Sequence, residues 1–147
     1  MKPIKTLYVI ADGGRARFVE RDENGAFRTI ASFTSAEAHE RAHDLGLDRP
    51  ARVKESANAA RHAVEPRRDL HVAAKEDFVK HVAGEIGAEH GRKSFDKLVL
   101  VAPARVLTEL KEQLSGAMAK LAADSLQKDL TKVPDHDLAE HLVHAPR

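Results

Sequence analysis

Two short runs constrain this chain more than any other feature. Thr6-Leu7-Tyr8-Val9-Ile10-Ala11 is almost free of polar interruption, and Phe95-Asp96-Lys97 leads into a second such run, Leu98-Val99-Leu100-Val101-Ala102. A strand with one wet face alternates apolar and polar residues, whereas a strand covered on both faces reads as a continuous apolar run. Both runs are therefore predicted at the centre of a sheet with cover on each side. The second follows a helical segment, which predicts that it lies parallel to the first.

The remaining elements arrange themselves around that pair. Asp12-Gly13-Gly14 supplies turn residues, and Arg15 to Arg21 then alternates, with Ala16, Phe18 and Glu20 on one face and Arg17 and Val19 on the other. A second turn, Asp22-Glu23-Asn24-Gly25, contains the Asn-Gly pair favoured where two successive residues need positive φ, and Ala26 to Phe33 resumes a strand. Ser35 is a candidate cap for a polar helix from Ala36 to Leu45 that stops at Gly46.

Residues 47–68 show no period and are interrupted by Pro50 and Pro66, which predicts a long loop. Asp69 then caps a helix to His90, with Leu70, Ala74, Phe78, Val82 and Ile86 recurring every four residues beside Val79 and Ala83; Gly91 suits its end. Pro103 opens another helix, striped by Leu107, Leu110, Leu114, Met118 and Leu121 and broken at Ser115-Gly116. A short strand is predicted around Ser125 to Leu130. A last helix runs from Pro134 to His144 with Leu138 and Leu142 facing inward.

Right-handed crossovers place the fourth strand beside the first and the fifth beyond it. The expectation is a single α/β domain over residues 1–147 with a mixed five-stranded sheet in the order 3-2-1-4-5. Strand 2 is antiparallel and helices lie on both faces. That is the ribonuclease H-like arrangement.

Composition narrows the function. Of the 147 residues 42% are apolar but only 4% aromatic, without Trp, so aliphatic side chains fill the core and base-stacking platforms are not expected. The absence of Cys removes disulfides, thiolate nucleophiles and Cys-based zinc sites. Asp12 cuts the first apolar run short of a signal peptide or membrane span, so a cytoplasmic protein without membrane insertion is expected.

Several catalytic chemistries open to such a fold lack their residues. A two-metal nuclease needs carboxylates converging from the central strands, yet the first run offers only Asp12 and the second ends Val101-Ala102-Pro103. Asp12-Gly13-Gly14 superficially resembles a phosphate-binding turn, but no second glycine turn follows Val101, so these glycines read as structural. Of nine His, the trio His136, His141 and His144 lies near the tail without a metal-ligand motif, and Asp77 with His81 reads as a local surface pair. No Gly-x-Ser-x-Gly turn accompanies Ser56 or Ser94. No catalytic residue, metal or cofactor is assigned; for a hydrolase with an unrecognised site, Asp12 and Arg105 would be the pocket residues to inspect.

Charge is unevenly distributed. The chain nets +1, but residues 49–68 carry six Lys or Arg against Glu55 and Glu65, a local net of +4 that leaves −3 for the rest. Arg49, Arg52, Lys54, Arg61, Arg67 and Arg68 are thus candidate phosphate-binding residues; a solvated basic excursion is the plainer alternative.

Four phrases carry a family resemblance: Tyr8-Val9-Ile10-Ala11-Asp12-Gly13-Gly14-Arg15-Ala16-Arg17, Asp48-Arg49-Pro50-Ala51-Arg52, Phe95 to Pro103, and Lys128-Asp129-Leu130-Thr131. Together they resemble the bacterial host attachment protein family across nearly the whole chain. Ala51 stands where that family's Asp-Arg-Pro-Gly-Arg segment has Gly. The resemblance implies a role in attachment to host cells and a fold like the middle domain of class 1 peptide release factors and of the rescue factor Pelota. In release factors the loop between meander and long helix carries a Gly-Gly-Gln tip; residues 47–68 contain none, so peptidyl-tRNA hydrolysis is not implied. What is expected instead is a non-catalytic module binding RNA, in the form of the ribosome or tRNA, through its basic loop. The alternatives are a protein-interaction factor in attachment, with a protein partner, and the hydrolase above.

Overall fold

The computed structural model describes residues 4–36, 67–122 and 124–142, with backbone alone for 67–73. Strands β1 (Thr6–Ala11), β2 (Arg15–Arg21) and β3 (Phe27–Thr34) form an antiparallel meander. Helix α1 (Arg67–Arg92) leads into β4 (Lys97–Val101), which lies parallel to β1 with Leu7 opposite Leu98 and Val9 opposite Leu100. Helices α2 (Ala104–Gln113) and α3 (Gly116–Leu121) follow, then β5 (Asp124–Leu126), parallel to β4. A 3-10 turn, Asp135–Asp137, runs into the single turn of α4 (Leu138–Leu142). The sheet order is β3-β2-β1-β4-β5, the ribonuclease H-like order expected from the apolar runs.

Each face of the sheet buries its own cluster. Leu7, Val9, Ala16, Phe18, Leu98 and Leu100 pack under Phe78, Val82 and Ile86 of α1, Leu107 and Leu110 of α2, and Met118 of α3. On the other face Ile10, Val19, Phe27, Val99 and Val101 are covered by Leu130, Leu138 and Leu142. Three helices thus protect one side, and the stretch 130–142 protects the other. β1 and β4 bury residues toward both, which is why their sequences lack alternation.

Several expectations need correction. Ala74 is exposed although it shares the four-residue spacing of Phe78, Val82 and Ile86, because this part of α1 reaches past the end of the sheet. β5 is three residues long, and Leu130 is buried against the second face rather than continuing the strand. Pro134 precedes a 3-10 turn rather than an α-helix. At the second turn only Gly25 has positive φ, 84°, and Asn24 does not. Asp22 accounts for this: its Oδ1 accepts the amides of Asn24 and Ala26, each at 2.9 Å, and its carbonyl accepts that of Gly25, so one left-handed residue closes the hairpin. The helix expected over 36–45, its stop at Gly46 and the loop through residue 66 lie outside the described residues except for Ala36, which with Ser35 is helical.

Candidate nucleic-acid interface

The end of the sheet where β1 turns into β2 is organised by Asp12. Placed just after β1, its Oδ1 accepts the backbone amides of Gly14 at 2.8 Å and Arg15 at 2.7 Å, while Oδ2 lies 3.1 Å from the Thr131 hydroxyl. The turn's amides are therefore already taken by a carboxylate, and a phosphate would have to displace it. Gly14 has open space where a side chain would begin and an ordinary φ. Gly13 has a particular reason to lack a side chain, because a Cβ there would sit 3.1 Å from Cδ of Lys75, whose stem crosses the turn from α1.

That contact places the N-terminal part of α1 beside the Asp12 turn. Arg67 and Arg68, the first two residues of α1, lie about two turns further out along the helix. Arg49, Arg52, Lys54 and Arg61 lie outside the described residues. Asp12 and Arg105 do not act as a pair: Asp12 is committed to the turn and to Thr131, while Arg105, three-quarters exposed, reaches Glu109 one helical turn along at 3.4 Å. A groove of about 640 Å³ lies at the opposite end of the sheet, lined by Lys5, Tyr8, Lys93, Phe95 and Leu142, and includes neither of them.

The histidines are dispersed. His81 sets its ring edge-on to Phe33 at 5.9 Å, His136 is exposed beside Asp137 at 3.6 Å, and His144 is outside the described residues. No group of three or more metal-ligating side chains converges among the described residues. No helix among them is long and apolar enough to cross a membrane.

A second polar junction, at Arg17, is one that motif reasoning passes over. Arg17 lies on the same face of β2 as buried Val19, with its side chain 13% exposed. Its guanidinium donates to Asp135 Oδ1 at 3.0 Å, to the Leu130 carbonyl at 2.8 Å and to the Val133 carbonyl. Asp135 in turn accepts the Thr29 amide at 2.9 Å and the Thr29 hydroxyl at 2.6 Å. These bonds hold the 130–135 segment against the second face. The available sequence signal was an arginine in register with an inward-facing valine, which requires a partner.

Burial lowers the Arg17 guanidinium below its ordinary value against the pull of Asp135. Burial pushes Asp135 upward, but the Thr29 hydroxyl and amide, with Arg17 and His136, outweigh it and hold the carboxyl below the usual range.

The sheet order and the helices packed on it define an α/β domain with a five-stranded ribonuclease H-like sheet. Structurally it is similar to an archaeal translation termination factor, aRF1, with a TM-score of 0.53 at 10% identity, over 95% of this chain and 35% of that one. The chain thus spans about a third of that factor's length. The family described as protein required for attachment to host cells matches residues 7–142, and the chain belongs to it. No curated protein matches the chain significantly.

Proposed function

We propose that this protein is a non-catalytic, release-factor-like module that binds RNA, as the ribosome or tRNA, through the basic stretch 49–68. The observation that carries the reading is the local net charge of +4 over residues 49–68, of which Arg67 and Arg68 begin α1, in a chain whose fold is similar to part of a translation termination factor. Charge of that density serves phosphate contacts, which supply affinity without needing base-stacking aromatics. The engagement of Asp12 and the orientation of Arg105 toward Glu109 favour binding over hydrolysis at this end.

Ribosome co-sedimentation from cell extract at moderate salt tests the reading. Association is expected to fall when Arg49, Arg52, Arg67 and Arg68 become Ala, and absence of association by the unmodified protein overturns it. The family description favours a second reading, a protein-interaction factor in attachment to host cells. Recovery of a protein partner insensitive to ribonuclease, without RNA, would support that one.

A further inference from the structure

Around the Asp12 turn stand four cations whose positions are fixed by the fold. Arg15 begins β2 directly after Gly14, and its amide is held by Asp12. Lys75 lays its stem over Gly13. Thr131 contacts Asp12 and Asp129, at 3.1 and 2.7 Å, bringing Lys128 and Lys132 to the same end. All four side chains are exposed, and among the described residues none makes an ion pair or a side-chain hydrogen bond. Among the described residues, Asp12 and Asp129 at this end spend oxygens on the turn and on Thr131. Glu76 and Asp77, which follow Lys75, line a separate groove with Glu109 and Glu112 of α2.

We propose that Arg15, Lys75, Lys128 and Lys132 form a cationic rim that binds the phosphate backbone of RNA. This rests on the RNA-binding reading and adds a second, independently testable surface to it. A protein partner is the weaker match because protein interfaces rely on apolar or aromatic anchors at their centre, and among the described residues no large exposed apolar side chain stands at this end. A membrane surface is also weaker: Ile4, the large exposed apolar residue among the described ones, lies in the groove at the opposite end. Cations spaced around one turn on three different segments suit a polyanion that crosses all of them. Recognition would depend on charge and backbone path, with no preference for a base.

The test is fluorescence anisotropy of a labelled 20-nucleotide oligouridylate with the full chain across a salt series. Replacing all four residues by Gln should weaken binding at least tenfold and reduce the slope of log K against log salt by about 2 to 3, the loss expected for four single-strand phosphate contacts. Replacing the three lysines by Arg should leave the slope unchanged. A separate variant, with Arg49, Arg52 and Arg61 changed to Gln, keeps the two surfaces apart. If the rim variant binds like the parent while this one fails, the rim is overturned and the basic stretch stands. If the parent does not bind the oligonucleotide, both fall. Preference of the parent for phosphatidylserine vesicles or polyglutamate at equal charge also overturns the assignment to RNA.

Discussion

Arg17 and Asp135, 118 positions apart, meet at 3.0 Å and join the meander to the chain's last segment. The Arg17 guanidinium serves three acceptors at once, so removing it takes a charged donor from Asp135 and from the Leu130 and Val133 carbonyls, while Asp135 keeps Thr29 and Leu130 keeps the Val133 amide. Arg17→Ala should cost about 2–4 kcal/mol in chemical denaturation. Hydrogen exchange should localise the loosening to residues 130–142. Arg17→Lys should recover little, since a single ammonium cannot reproduce the fork.

Asp135 also predicts an acid limb in the stability curve. Its folded-state pKa lies below the unfolded one, so its contribution is fully present above about pH 4 and is lost as pH falls through the folded value. Denaturation midpoints measured from pH 6 to pH 2 should show a shallower acid decline in Asp135→Asn than in the parent.

The two turn glycines should respond differently to alanine. Gly25 holds φ at 84°, a left-handed conformation that costs an L-residue about 1–2 kcal/mol. At Gly13 the obstacle is only the flexible stem of Lys75 at 3.1 Å, which can shift by a few tenths of an ångström. Thermal melts should therefore show a clear loss for Gly25→Ala and a smaller one for Gly13→Ala.

Along α1, position rather than periodicity sets the cost of a substitution. Phe78 is 1% exposed beneath the helix, and Phe78→Ala should destabilise by about 3–5 kcal/mol. Ala74→Ser, one helical turn earlier, should be within about 0.5 kcal/mol of the parent because Ala74 is exposed. Equilibrium denaturation of both variants separates the two cases.

The central strands were legible because β1 and β4 bury residues on both faces, and double burial leaves an uninterrupted apolar run. The helix stripes at Phe78, Val82 and Ile86, and at Leu107 and Leu110, were legible for a similar reason: one face of each meets the sheet. At the candidate interface, the sequence exposed the cluster of charge at 49–68 and the tight turn at Asp12-Gly13-Gly14. It did not indicate that Lys128 and Lys132 stand beside Arg15 and Lys75, because hydrogen bonds spanning more than a hundred positions bring them there.

The sequence by itself therefore determined the sheet order, the two buried faces and the uneven charge, all of which follow from local patterning of apolar and charged residues. Tertiary structure alone decided that β5 stops after three residues, that Arg17 closes onto Asp135, and that Asp12 fills its own turn and contacts Thr131. The physical reason is that a buried polar group is satisfied by whichever partner the completed fold brings within about 3 Å, and no local pattern encodes that distance.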